Sequence, residues 1–222
     1  MEGGISIGVG VLWVLIWFGF MLLYTILDVM VWRNLIPAYE KYLNVITIIL
    51  SMVVFLAFLA RKNNFKVDLF RNISFPGILS AIGFAILLYF LLDKGLDTVF
   101  EMIFPKSEES YQKTLQTLRK APVISLFQVC VLAPMIEEIL MRGYLLNGLT
   151  ASYGSIIALL VSSLLFALLH FNMVQTFSAF VCGIVLGLLY LQTGSLFCCI
   201  LTHAGYNLIS YITTILPLYS IK

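Results

Sequence analysis

Apolar residues run through this chain in long unbroken blocks, separated by short polar clusters. The blocks fall at about 5–32, 42–60, 73–92, 122–150, 154–171, 174–192 and 195–217, lengths suited to helices that cross a hydrocarbon core of about 30 Å. Arg61-Lys62-Asn63-Asn64 closes the second block. A polar segment, 93–121, separates the third from the fourth, with KSEESYQKTLQTLRK at its centre. Its Leu115 and Leu118 are spaced for a short amphipathic helix lying at the membrane interface. Pro122 then stands where a helix tolerates proline best, in its first turn. Short alternating segments of the kind that build a β-barrel are missing. The pattern predicts an all-α polytopic transmembrane helix bundle of about seven spans. It reads as one membrane domain, 1–222: N-terminal helices 1–92, an interfacial segment 93–121, and the motif-bearing helices 122–217.

Composition agrees with a lipid environment. Of 222 residues, 61% are hydrophobic and 11% charged, against about 25% charged in a soluble domain. Mean hydropathy is +1.03. A net charge of +2, scattered along the chain, gives no reason to expect nucleic acid. The N-terminal run has no preceding Lys or Arg and is too long for a signal-peptide core, so it reads as a retained first span. Cys130, Cys182, Cys198 and Cys199 all lie in apolar segments without metal-ligand spacing and read as small buried thiols. Lys41, Arg61, Lys62, Lys66 and Arg71 read as solvated or headgroup-level charges. The basic residues of 61–72 oppose those of 33–41 and 93–121, so charge does not fix the orientation.

One block breaks the rule that charge lies between spans. Ala133–Leu146 reads APMIEEILMRGYLL. A Glu or Arg near the bilayer centre costs about 2.5–3.5 kcal/mol on insertion scales, so such residues face the bundle interior and take partners. Glu138 and Arg142 are four apart and share a helix face, with the acid N-terminal as an ion pair prefers. Glu137 is rotated about 100° away and has no evident partner in its own helix. An unpaired carboxyl in a water-poor site suits general acid–base work. A Glu–Arg pair alone can equally serve to tie two helices together. Pro134 removes the N–H that the Cys130 carbonyl would use, which predicts a kink one turn before Glu137.

The chain's two histidines both fall in apolar blocks. His170 follows Phe166 by four, and Asn207 follows His203 by four. Counted from the turn near Tyr153, Glu137 lies 16 residues before and His170 17 after, about 25 Å in each case at 1.5 Å per residue. His203 is only 9 residues past Gly194, about 13 Å, so its depth does not match by this count. Ser162, Ser163 and Ser210 read as helix-packing residues, and Gly143, Gly183, Gly187 and Gly205 as points of close helix approach.

Glu137-Glu138-x-x-x-Arg142, Phe166-x-x-x-His170 and His203-x-x-x-Asn207 together resemble the three motifs of the CPBP intramembrane proteases. That family includes the type II CAAX prenyl proteases and the bacterial Abi, bacteriocin-processing and immunity proteins. The resemblance covers about 120–215, and the first three helices carry no motif. It implies peptide-bond hydrolysis within the membrane by a glutamate mechanism. On that basis Glu137 activates a water with the help of His170, and His203 and Asn207 stabilise the oxyanion. Glu138, Arg142 and Phe166 shape the site. No cofactor is implied. A zinc variant held by Glu137, His170 and His203 stands as the mechanistic rival, although the HExxH helix is absent.

The resemblance also implies the company the protein keeps. Its expected partners are the lipid bilayer, a membrane-associated peptide or protein substrate, and a sensor kinase or peptide-signalling protein. A non-hydrolytic bacteriocin-immunity or kinase-binding role is the alternative function. The short chain reads as a multi-pass protein of a bacterial plasma membrane. A transporter would show broken helices in paired repeats. The first half offers only Asp28, read as an interface-level acid.

Overall fold

The computed structural model describes residues 3–216. Pro217, the last residue of the expected seventh span, lies outside them. Among the described residues the chain is helical throughout, without strands. Six helices are long and apolar enough to cross a membrane: α1 (Ile7–Leu35), α2 (Glu40–Asn63), α3 (Phe75–Ile103), α5 (Pro122–Tyr153), α7 (Met173–Thr193) and α8 (Leu196–Ile215). Two others complete the set, the polar α4 (Pro105–Arg119) and the short apolar α6 (Ser155–Leu168). The protein is a multi-pass membrane protein of all-α architecture.

Two elements depart from their expected lengths. The third block continues well into the polar segment, so α3 carries Asp93, Asp97 and Glu101 on its last turns. The block at 154–171 gives only 14 residues of helix, about 21 Å, which is short of a full crossing. Its limits are local. Gly154 sits at φ +78°, a region open to glycine and closed to most side chains. At the other end Asn172 accepts from the Gln175 backbone N–H and starts α7 afresh. His170 therefore lies in the turn after α6 rather than within a continuous span.

Several helices widen locally. Backbone N–H groups of Arg33, Asp97, Ala133 and Asn147 reach carbonyls five residues back, at Asp28, Leu92, Gln128 and Arg142. Such wide turns rotate the next stretch of helix and leave carbonyls unpaired. Asp28 is buried and paired with Arg33 at 2.6 Å. The wide turn brings the arginine back over it, and Trp32 donates to Thr47 on α2 at 3.1 Å.

Packing follows the small residues. α6 lies along α7, and α8 lies along α3. A Cβ on Gly183 would stand 3.0 Å from the Ser163 Cα, so glycine sets the α6–α7 approach. On the other seam Gly205 faces the Ala85 Cβ, and Thr202 donates to the Ala81 carbonyl at 3.1 Å. Trp13, Trp17, Phe55 and Tyr144 interlock α1, α2 and α5, with ring centroids 5.0 to 6.3 Å apart. The expected interfacial helix is α4. It buries Leu115, and its Ser107 accepts from Asn172 through its carbonyl and from the Met173 N–H through its hydroxyl.

These contacts give a paired test. Gly183→Val should lower the melting temperature in detergent, by the order of 1–3 kcal/mol typical of overpacking. Gly83 faces outward on α3, and a Cβ added there would meet nothing within 4 Å. Gly83→Ala should be neutral or stabilising, by up to about 1 kcal/mol from helix propensity.

Candidate active site

The site is built on α5. Pro134 sits one turn before Glu137, and the wide turn at Gln128–Leu132 lies directly upstream. In this turn the Ala133 N–H is taken by the Gln128 carbonyl. The next carbonyl, Val129, would need an N–H five residues on, and that residue is Pro134. It has none. The orphaned Val129 oxygen is instead satisfied from another helix: Asn207 Nδ2 of α8 donates to it at 2.8 Å. The kink expected at Pro134 is thus accompanied by a wide turn that Asn207 closes.

One turn later the adjacent acids diverge. Glu138 is 0% exposed and points into the bundle. Its Oε1 accepts from Arg142 Nη1 at 2.8 Å and from His203 Nδ1 at 2.9 Å. Arg142 is equally buried. It donates through Nη2 to the Gly183 carbonyl at 3.0 Å, and its guanidinium lies 4.9 Å from the centre of the Phe166 ring. Phe166 is edge-on to both imidazoles, 5.1 Å from His170 and 5.8 Å from His203. Four helices and the α6–α7 turn therefore meet at one cluster.

Glu137 faces the other way, into a cavity of about 500 Å³. His170, His203 and Asn207 line the same cavity. Among the described residues the Glu137 carboxylate makes no hydrogen bond, and His203 Nε2 stands 3.8 Å from its Oε2. His170 Nδ1 donates to the Phe166 carbonyl at 3.1 Å. A neutral His170 then carries its lone pair on Nε2.

Glu137, Glu138, Arg142, Phe166, His170, His203 and Asn207 are all gathered here. The contact to His203 also resolves the depth mismatch. α5 has 32 residues, about 48 Å if straight, well beyond a 30 Å core. Its end at Tyr153 and the turn at Gly194 do not lie at one height, so counting from both misplaces His203.

The helices without motifs contribute the opposite wall. Trp17, Met21 and Tyr24 come from α1, Asn44, Ile48 and Met52 from α2, and Asp97 from α3. Asn44 accepts from Gln128 at 2.8 Å, Asp97 accepts from Ser178, and Asp93 accepts from Tyr206 at 2.8 Å. Sequence reasoning missed these residues. The available signal was a polar side chain, Asn44, inside an otherwise apolar helix. Among the described residues, no three His, Cys, Asp or Glu side chains are grouped as a metal-holding set.

Comparison with known proteins bears directly on this cluster. Residues 119–209 match the family model described as type II CAAX prenyl endopeptidase Rce1-like. The match bears out the CPBP resemblance over that segment. The matched segment includes Glu137, His170, His203 and Asn207. An uncharacterized protein of Mycoplasma capricolum subsp. capricolum is 30% identical over 152 residues, covering 63% of this chain. The chain spans 44% of the length of that relative. No solved structure matches.

The cluster yields two stability tests. Glu138→Ala and Arg142→Ala should each lower folded yield and detergent stability, since breaking a buried pair costs about 3–5 kcal/mol. Unchanged melting of either variant would refute the structural weight given to the pair. Asn207→Ala should cost about 1–3 kcal/mol by orphaning the Val129 carbonyl. Because Pro134→Ala restores an N–H for that carbonyl, the Asn207→Ala penalty should shrink in a Pro134→Ala background. A double-mutant cycle measures this coupling, and strict additivity would count against it.

Proposed function

We propose that the protein is an intramembrane endopeptidase that hydrolyses a peptide bond in a membrane-associated protein or peptide, with Glu137 as the base. One observation carries this reading. Of two adjacent acids, one is engaged through a single oxygen by Arg142 and His203, while the other makes no hydrogen bond among the described residues and stands in a cavity shared with both imidazoles. A structural carboxylate inside a bundle is expected to be paired. A catalytic base must keep its lone pairs free for water.

The chemistry is built on this geometry. A water about 2.8 Å from both Glu137 Oε2 and His203 Nε2 is compatible with their separation of 3.8 Å. Glu137 removes a proton from that water as its oxygen bonds to the scissile carbonyl carbon. His170 Nε2, with Nδ1 committed to the Phe166 carbonyl, is an acceptor that helps to orient the water. Negative charge develops on the former carbonyl oxygen. His203, held through Nδ1 by Glu138, donates to it from Nε2 as the imidazolium. Asn207 spends one Nδ2 proton on Val129 and offers the second to the same oxygen. The C–N bond then breaks and Glu137 returns its proton to the leaving nitrogen, which gives a carboxylic acid and an amine; the acid then passes its proton to the amine to leave a carboxylate and an ammonium.

This role assignment needs no metal, and Glu138 and Arg142 act by positioning His203 and the α5 backbone. The setting we propose is a bacterial plasma membrane, with a membrane-anchored peptide or regulator as substrate.

Glu137→Gln keeps the shape of the side chain and removes the base. It should reduce turnover by at least about 10²-fold at normal abundance and melting temperature. The readout is comparative peptidomics of cells carrying wild type or variant, followed by kinetics on the best-cleaved peptide. Full cleavage by a well-folded Glu137→Gln protein would overturn the proposal. Purified enzyme treated with chelator should retain activity. Loss on chelation with stoichiometric recovery on Zn²⁺ would recast Glu137, His170 and His203 as ligands.

A further inference from the structure

We infer that Tyr24, on the N-terminal helix that the motifs do not reach, is a further catalytic residue of this site, its hydroxyl donating a hydrogen bond to the substrate's scissile carbonyl oxygen. The inference rests on the endopeptidase reading above. Tyr24 lines the same cavity as Glu137, His170, His203 and Asn207. It shares a face of α1 with Trp17 and Met21, seven and three residues earlier, and both line the cavity too.

Its hydroxyl is uncommitted. A phenol in an interior normally finds a partner, and three others here have done so. Tyr144 donates to Asn63, Tyr206 to Asp93 and Tyr211 to the Pro122 carbonyl, each at 2.8 Å. Among the described residues Tyr24 has no such bond, and the cavity it lines is the one that holds the Glu137 carboxylate. Tyr111 is another phenol of the cavity without such a bond among the described residues, and it is carried by the polar α4.

The helix that carries the phenol is tied down on both sides of it, which a preorganised donor requires. Just before it, the Trp17 ring packs on Phe55 at 5.0 Å. Just after it, the Tyr24 carbonyl accepts from the Asp28 N–H, and Asp28 is clamped by Arg33. On the same helix Phe18 packs against Phe171, next in the chain to His170, with centroids 5.1 Å apart. α1 is thereby fixed against the turn that carries an imidazole of the site. An O–H is a suitable donor to an oxyanion. It is well placed to share that task with Asn207, one of whose two amide protons is already taken by Val129.

The test is Tyr24→Phe, which removes only the oxygen. The probe is a proteome-derived peptide library in detergent micelles, followed by kinetics on the fastest-cleaved peptide. We expect kcat to fall by about 10–10²-fold with KM within about threefold, the signature of an interaction made in the transition state. Melting temperature should stay unchanged, because the hydroxyl has no partner to lose. Wild-type kcat in Tyr24→Phe overturns the inference. So does an activity loss matched by lost stability, which would mean a packing role. Glu137→Gln, run in parallel, separates the layers. If it is inactive while Tyr24→Phe is fully active, only the tyrosine assignment fails. If it is fully active, or if wild type cleaves nothing, the endopeptidase reading fails and takes this inference with it.

Discussion

One carboxylate organises the interior of this bundle. Glu138 has no exposure to solvent or lipid, and a single oxygen of it receives both the Arg142 guanidinium and the His203 imidazole. A charge in such a place is tolerated only when its partners are good. The partners come from two helices, and the arginine carries the connection further, to the Gly183 carbonyl of α7 and the face of Phe166 on α6. Three of the four helices in this cluster would have little reason to hold a common register without it, because lipid offers no hydrophobic force to bring them together. The other oxygen of Glu138 is buried without a partner among the described residues. The cluster is therefore tuned to place groups as well as to neutralise charge.

The freedom of Glu137 is a consequence of that arrangement. Adjacent helical residues differ by about 100° in direction, so one acid can be consumed by the core while its neighbour faces the cavity. Arg142 cannot serve both. By pairing with Glu138 it leaves Glu137 with only imidazoles for company, at a distance where water and not a direct bond fits between them. Upstream, Pro134 and the wide turn at Gln128–Leu132 produce a second dependency. They open the helix beside the cavity and strand the Val129 carbonyl, and Asn207 closes the gap. The amide that the motif resemblance assigns to catalysis is thus also the group that lets α5 bend. On the proposed mechanism stability and chemistry share a side chain here, so loss of activity on its replacement says nothing about role until stability is measured separately.

How much of this could be read from the chain varies with the range of the interaction. The helices and their order were legible, because an apolar run of that length has few alternatives in a membrane. The Glu138–Arg142 pair was legible too, since helical spacing alone brings i and i+4 together. The bond from Glu138 to His203 was not, as spacing within one helix does not say which other helix it meets. Counting residues from turns placed His203 wrongly in depth. That count assumes that neighbouring turns lie level, and α5 is too long for that. The short α6 was hidden because Phe171 prolongs the apolar block past the point where Asn172 restarts the helix. The cavity wall from α1 and α2 carried almost no signal, since Trp17, Met21 and Ile48 are ordinary membrane residues wherever they point.

That wall changes what the first three helices are for. Sequence resemblance and family match both stop at the C-terminal part of the chain, 119–209 for the latter, which invites the view that the rest is an anchor. The cavity argues otherwise. The space that Glu137 faces is lined from α1 and α2 as well as from α8 and the His170 turn. Lipid cannot hydrate a carboxylate or carry a proton. The N-terminal helices exclude lipid from the space in front of Glu137, and they line it with Tyr24 and Asn44 among apolar side chains. A water-using site inside a bilayer needs such a partition as much as it needs a base. The residues that build it need only be large, rigid and correctly placed, so they can be part of the chemistry without forming a motif.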